Sequence, residues 1–149
     1  MKNEPIHILL ADDDEADRLL FTEVFEELKI QSIVHTVEDG VQLMKYLSEN
    51  EKNLPDILFL DLNMPKKNGL ECLQEIKNNE VFKGMSIVIY STSASEKDIE
   101  ATFLGGANVY IHKPSDFNVL KQVLEKAVMV SYLYQSPAFK KENFLLRIG

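Results

Sequence analysis

Carboxylates follow two of the most apolar runs in the sequence, at the points where those runs end. The acidic triplet Asp12-Asp13-Asp14 follows IHILLA, and Asp61 follows ILFL. A strand buried on both faces has a continuous apolar sequence, and open α/β sheets bind ligands at the carboxyl ends of such strands. Clustered carboxylates repel one another and need a counter-charge. The sequence therefore predicts an acidic site of hard oxygen ligands, which suits Mg²⁺.

A hydroxyl group and an ammonium group end two further apolar runs. Ser91 closes the run SIVIYS, and Lys113 follows VYIH and precedes Pro114. If these runs are strands of one parallel sheet, their carboxyl ends lie on the same edge as the carboxylates. A lysine opposite several acids indicates that an anion also binds there, and a phosphoryl group is the obvious candidate.

The elements that must carry these residues alternate along the chain. Between the short apolar runs lie segments whose apolar residues recur every three or four positions, which predicts helices. Asp14 is expected to cap the first helix, and Gly69 is expected to open the third. The predicted strands are Ile6–Ala11, Ser32–Val37, 56–61, Ser86–Ser91 and Val109–His112. This alternation predicts an α/β fold with a parallel sheet and helices on both faces.

Length and composition fit one globular domain. The 149 residues are 45% hydrophobic, enough for one core, and the N-terminal apolar run is too short for a signal peptide or a spanning helix. A net charge of −8 disfavours binding to nucleic acid or to a membrane surface. The single cysteine, Cys72, fits a reducing compartment, so we expect a cytoplasmic protein. Residues 1–135 are expected to form the domain, and residues 136–149 a C-terminal tail without an effector domain.

In order and spacing, these motifs resemble the response regulator receiver domain of two-component signalling, with its chemotaxis-regulator-like fold. The resemblance runs from Ile6 to Leu133 and is carried by LLADDDE, LDLNMP, IVIYSTS and YIHKP. The stretches LPDILFLDLNMP and YSTSASEKDIEATFLGGANVYIHKP look most like the stand-alone, phytochrome-associated regulators. The resemblance implies a doubly wound, flavodoxin-like (βα)5 domain with a five-stranded parallel sheet in the order 2-1-3-4-5.

The resemblance also implies a role for each residue at this edge. Asp61 would be the phosphoacceptor, attacking the phosphohistidine of a sensor histidine kinase or a histidine phosphotransfer protein to give an acyl phosphate. Asp13, Asp61 and the backbone carbonyl of Asn63 would ligate Mg²⁺ directly, and Asp12 would act through a bound water. Lys113 would pair with the Asp61 carboxylate at rest and with the phosphoryl oxygens afterwards.

Two residues would report the phosphorylation. Ser91 would hydrogen-bond a phosphoryl oxygen, and the ring orientation of Tyr110 would follow that hydroxyl, although an aromatic residue in a strand often only packs. The signal would reach a downstream protein target through the face formed by helix 4, strand 5 and helix 5, residues 95–134. Such a protein is not an enzyme in the usual sense, because it would catalyse only its own phosphorylation and slow dephosphorylation.

Two other functions compete with this interpretation. A phosphohydrolase of the haloacid-dehalogenase type uses Asp-x-Asp at a strand end, but Asn63 occupies the place of its second aspartate, the general acid. A pseudo-receiver would be an interaction module that phosphorylation does not regulate. Such modules usually lose an acidic residue or the lysine, and this sequence retains both. Acetyl phosphate with Mg²⁺ distinguishes the three functions.

The C-terminal tail is rich in large apolar residues, unlike a disordered tail. Its apolar side chains are Phe139, Phe144, Leu145, Leu146 and Ile148. We expect the tail to bury them in one of three ways: as a short helix on its own domain, on a second subunit in a homodimer, or on another partner.

Overall fold

The computed structural model describes residues 4–133 and 144–146, and within these ranges strands and α-helices alternate. The strands are Ile6–Ala11 (β1), Ser32–Val37 (β2), Ile57–Leu60 (β3), Ser86–Ser91 (β4) and Val109–His112 (β5). The helices are Glu15–Glu27 (α1), Gly40–Glu49 (α2), Gly69–Lys77 (α3), Glu96–Leu104 (α4) and Phe117–Val128 (α5), and a π-helical turn, Met129–Leu133, continues α5. Among the described residues, no helix is both long enough and apolar enough to cross a membrane.

The five strands form one parallel sheet in the order β2-β1-β3-β4-β5, which confirms the predicted fold and strand order. The register aligns the strand ends, because Ala11 lies beside Leu60 and Leu60 lies beside Ile89. Strand β3 is one residue shorter at each end than predicted. The residues after β1, β3 and β4 therefore meet at one edge of the sheet.

Helices cover both faces of the sheet, so the domain has two apolar layers. Side chains of β3 alternate between them, since successive residues of a strand point to opposite faces. Leu58 and Leu60 pack into the layer under α2, α3 and α4, whereas Phe59 packs with Phe21 under α1 and α5. Because the central strands are buried on both sides, packing in the two apolar layers fixes the backbone that carries the polar residues at this edge.

Helix caps place the loops that flank this edge. The Asp14 side chain accepts a hydrogen bond of 3.0 Å from the Asp17 N–H, which confirms the predicted cap of α1. Gly69 opens α3 as predicted, and the preceding Asn68 forms a capping box with Glu71 that was not anticipated from the sequence. A Cβ atom on Gly69 would lie 2.2 Å from the Asp61 carbonyl oxygen, so only glycine fits there. The start of α3 is thereby packed directly against the end of β3.

The described part of the tail extends the sheet beyond β5. Leu145 forms a parallel bridge with Tyr110, whose N–H donates to the Phe144 carbonyl at 2.9 Å and whose carbonyl accepts from the Leu146 N–H at 2.9 Å. Phe144 is fully buried against the rings of Phe103 and Tyr110.

Residues 144–146 thus bury apolar surface on their own domain, which was one of the three alternatives, although they do so as a bridge to β5 and not as a short helix. An edge strand presents unpaired N–H and carbonyl groups, and a docked extended segment satisfies them. Phe139 and Ile148 lie outside the described residues. The domain boundary at residue 135 and the homodimer stay predictions.

Candidate functional site

The carboxyl edge of the sheet brings Asp12, Asp13 and Asp61 together, as the sequence predicts. One carboxylate oxygen from each residue lies within 4.8 Å of the others. Asp12 and Asp61 lie close together because β1 pairs with β3. This pairing continues beyond the end of β3, where the Asp61 N–H donates to the Ala11 carbonyl at 3.0 Å. Asp12 and Asp61 are buried and Asp13 is exposed, so the set opens to solvent on one side. Three carboxylates in this arrangement fit a hard divalent cation.

The buried carboxylates differ in how firmly they are held. Asp12 accepts two short hydrogen bonds, from the Asp14 N–H at 2.9 Å and from Lys113 Nζ at 2.8 Å. Asp61 has longer contacts, 3.3 Å from the Asn63 N–H and 3.5 Å from Lys113 Nζ. Of these two buried carboxylates, Asp61 is therefore the one held less tightly. The use of the Asn63 carbonyl as a metal ligand stays a prediction.

Lys113 contacts three carboxylates instead of pairing with Asp61 alone. Its Nζ lies 2.8 Å from Asp12, 2.9 Å from Asp17 and 3.5 Å from Asp61. The ammonium also lies 5.0 Å from the centroid of the Tyr90 ring, within cation–π range. The expected contact with Asp61 is present, but it is the longest of the three, and the lysine lies closer to α1 than was anticipated.

Sequence reasoning missed Asp17 as a member of this site. Asp17 lies three residues after Asp14 in the first turn of α1, and Asp14 holds its backbone N–H. Residues three apart share a helix face, so the i, i+3 spacing from the acidic triplet was the available signal.

The electrostatics of the site reflect burial and crowded negative charge. Burial raises the pKa of Asp61 to about 6, with Lys113 opposing the shift and Asp12 adding to it. Burial also raises the pKa of Asp12, despite its bond to Lys113. For Lys113, burial lowers the pKa, but the hydrogen bonds to Asp12 and Asp17 outweigh it and raise the pKa above the usual range. Bound cations would relieve this excess of carboxylates over ammonium groups.

Ser91 and Tyr110 both contact the loop that follows β4. Ser91 is fully buried, and its Oγ accepts a hydrogen bond from the Ser93 N–H at 3.0 Å. The Tyr110 ring is also fully buried, and its hydroxyl donates to the Ser93 carbonyl at 2.9 Å. Ser93 therefore links the two residues. The ring of Tyr110 packs on Phe144, a contact between distant parts of the sequence that no local pattern indicates.

Comparison with known proteins gives matches over most of the chain. The model of the response regulator receiver domain matches residues 8–125. Response regulator Rcp1 of Synechocystis sp. (strain ATCC 27184 / PCC 6803 / Kazusa) is 33% identical over 127 residues, covering 83% of this chain and 86% of Rcp1.

Two solved structures show the same similarity in three dimensions. The phosphorylated cyanobacterial phytochrome response regulator RcpA superposes with a TM-score of 0.80 at 33% identity, covering 91% of this chain and 100% of RcpA. The Mn²⁺-bound form of Rcp1 superposes with a TM-score of 0.77 at 32% identity, covering 90% of this chain and 100% of that one. The chain belongs to the response regulator receiver domain family of two-component signalling, and its relatives include phytochrome response regulators.

Proposed function

We propose that Asp61 accepts a phosphoryl group from the phosphohistidine of a sensor histidine kinase or a histidine phosphotransfer protein. One observation carries this proposal: Asp61 directly follows the central strand β3, is buried and held by two long contacts, and lies beside Asp12, Asp13 and Lys113. A carboxylate oxygen of Asp61 attacks phosphorus, the P–N bond of the phosphohistidine breaks, and its electron pair leaves with the imidazole. The product is an acyl phosphate on Asp61.

The donor set fits the Mg²⁺ that this reaction requires. Asp13, Asp61 and the Asn63 carbonyl would hold the ion, and the existence of a Mn²⁺-bound form of Rcp1 supports a divalent metal. Asp12 would act through water, because both of its oxygens already accept short hydrogen bonds. When bound, the ion supplies positive charge that offsets the carboxylates and the incoming phosphoryl oxygens.

Phosphorylation would be read through the loop after β4. Lys113, whose Nζ lies 3.5 Å from Asp61, and the hydroxyl of Ser91, which ends the neighbouring strand β4, would donate to phosphoryl oxygens. Because the Ser91 Oγ and the Tyr110 hydroxyl both bond Ser93, a shift of Ser91 would move the loop that holds Tyr110. The face formed by α4, β5 and α5 would then contact a downstream protein differently.

Incubation with acetyl phosphate and Mg²⁺ tests the proposal. We expect one hydroxylamine-sensitive phosphoryl group per chain by mass spectrometry, absent from Asp61→Asn because an amide is a poor nucleophile. Asp14→Asn is the matched control, since it also removes one negative charge and asparagine preserves the cap. Full labelling of Asp61→Asn would refute the acceptor assignment. Steady release of phosphate without an accumulating label on Asp61 would indicate a hydrolase, and neither labelling nor release would indicate a pseudo-receiver.

A further inference from the structure

We propose that Asp17 is a positioning residue that competes with the phosphoryl group on Asp61 for the ammonium of Lys113. The inference rests on the proposed function, because it concerns the state in which Asp61 carries a phosphoryl group. It assigns to the first turn of α1 a direct influence on how strongly the phosphorylated state is stabilised.

The geometry of Lys113 carries the inference. An ammonium has three N–H donors, and two of them form short bonds, 2.8 Å to Asp12 and 2.9 Å to Asp17. Asp61 lies 0.6 Å farther away than Asp17, the difference between 3.5 and 2.9 Å. At rest, therefore, the lysine is bonded mainly to β1 and α1 and only weakly to the phosphoacceptor.

Of the two short bonds, we expect the one to Asp17 to break when Lys113 moves toward a phosphoryl group. Asp12 is fully buried and also accepts the Asp14 N–H, so its carboxylate is fixed. The Asp17 side chain is 33% exposed, so water can replace the lysine. Breaking the Asp12 bond instead would leave a buried charge unpaired, which costs far more.

Movement of Lys113 toward a phosphoryl group on Asp61 would thus lengthen its bond to Asp17. The free energy of that ion pair is subtracted from the stabilisation that Lys113 gives the phosphoryl group. Partly exposed ion pairs contribute up to about 1 kcal/mol, so removal of the Asp17 charge should tighten phosphoryl binding about two- to fivefold.

Titration with beryllofluoride, a phosphoryl analogue, at saturating Mg²⁺ measures this effect. The full chain is compared with Asp17→Asn and with Asp14→Asn, which removes the same charge from the same turn without a contact to Lys113. We expect Asp17→Asn to lower the dissociation constant about two- to fivefold relative to Asp14→Asn. The difference should persist at high salt, where the bulk charge effect of either substitution is screened.

Two further variants separate positioning from general stability. In a Lys113→Ala background, Asp17→Asn should no longer change the affinity for beryllofluoride, because its effect acts through the lysine. Asp17→Glu should restore an affinity closer to that of the unsubstituted chain, since it retains a carboxylate. If Asp17→Asn changed the affinity for beryllofluoride equally in the absence of Lys113, the role of Asp17 would be structural, and this result would contradict the inference.

The failures of the two proposals are distinguishable. If the unsubstituted chain does not bind beryllofluoride with Mg²⁺, the proposed function is wrong and this inference falls with it. If that chain binds but Asp17→Asn equals Asp14→Asn, or binds more weakly, Asp17 does not compete for the lysine and only this inference is overturned.

Discussion

Asp61 combines burial with weak hydrogen bonding, and together these set its chemical character. Burial raises its pKa to about 6, so the carboxylate is mostly ionised at neutral pH but is poorly stabilised by its surroundings. An ionised carboxylate is the form that can act as a nucleophile. Perturbed pKa values are common at functional sites, and the poorly stabilised charge of Asp61 favours the binding of a cation there.

This destabilised charge predicts an effect of Asp61→Asn on stability in metal-free buffer. Because the pKa is raised, the folded state gains stability as pH falls through about 6, and the ionised group destabilises the fold above that pH. Asp61→Asn should therefore raise the free energy of unfolding near pH 7.5, by up to about 3 kcal/mol, and the gain should shrink toward pH 4. Denaturant unfolding with a chelator at several pH values measures it.

Asp14→Asn controls for the loss of one carboxylate, since Asp14 is exposed. At about pH 7.5 this variant should change the free energy of unfolding much less than Asp61→Asn does, because asparagine preserves the cap of α1. A stability gain in Asp61→Asn that does not depend on pH would contradict the role of its buried charge.

The metal assignment predicts different effects for neighbouring aspartates. Asp13→Asn replaces a proposed direct ligand and should weaken Mg²⁺ binding at least about tenfold, since loss of outer-shell partners alone costs that much. Asp14→Asn removes the same charge from a residue that caps α1 and is not a proposed ligand. Because asparagine can replace this cap, the effect on Mg²⁺ binding should be small. Titration of Mg²⁺ followed by NMR shifts measures both. Equal losses would show that Asp13 is not a ligand.

At the residue scale, the sequence predicts the site residues that directly follow strands, but it does not predict the contacts made by residues of a helix or of the C-terminal tail. Asp12, Asp13, Asp61 and Lys113 could be predicted to meet because parallel strands end at one edge. The spacing of Asp17 from Asp14 indicates that Asp17 shares the first turn of α1, but it does not indicate that Asp17 faces Lys113, because that depends on the direction in which α1 leaves β1. Its bond to Lys113 joins residues 96 positions apart in the chain, a distance that no local pattern spans.

At the scale of elements, the segment between β3 and α3 is fixed by a close backbone contact. A Cβ on Gly69 would lie 2.2 Å from the Asp61 carbonyl oxygen and 2.8 Å from the Leu62 Cα. Neither neighbour is a flexible side-chain tip, so the backbone itself would have to move. This contact holds the carbonyl end of β3 and the loop that carries Asn63.

Gly69→Ala is therefore expected to destabilise the domain and to disturb the metal site together. The overpacking should cost about 1–3 kcal/mol, and Mg²⁺ affinity should fall because the displaced backbone belongs to Asp61. Denaturant unfolding and Mg²⁺ titration measure the two effects. Gly84→Ala is the matched control, because a Cβ there meets nothing within 4 Å. Similar behaviour of the two variants would contradict the close contact.

The elements themselves were largely predictable, and their deviations have local causes. Strands of a parallel sheet are buried on both faces, so their apolar runs mark them clearly. Gly69 marks the start of α3 in the sequence, but it does not reveal the capping box of Asn68, although asparagine is a favoured cap. The π-helical end of α5, Met129–Leu133, follows an apolar pattern that does not distinguish helix types.

At the scale of the whole molecule, residues 144–146 join the far end of the chain to the proposed output face. Phe144 fills a space between Phe103 of α4 and Tyr110 of β5, with ring centroids 5.3 and 6.0 Å away. The apolar composition of the tail predicted burial, but not its place at the edge of β5. That place depends on the free hydrogen-bonding edge of the last strand, which exists only after the sheet has formed.

Docking of the tail can be measured at the amide of Tyr110, whose N–H donates to the Phe144 carbonyl. Phe144→Ala removes the buried anchor, and truncation of a buried phenylalanine costs about 3 kcal/mol or more. Hydrogen exchange of the Tyr110 amide should then accelerate, by up to about a hundredfold if local undocking controls it. The amides of Asn108 and Lys113 are internal references, since they bond β4 carbonyls instead.

Leu104→Ala is the matched control variant, because it truncates an apolar side chain of α4 that is 72% exposed. It should leave the exchange of the Tyr110 amide unchanged. In Phe144→Ala, acceleration at Tyr110 without comparable acceleration at Asn108 and Lys113 would show that the tail undocks while the sheet stays intact. Equal acceleration at all three amides would instead show that Phe144 supports the whole domain, and no acceleration at any of them would mean that the tail is held at β5 without its aromatic anchor.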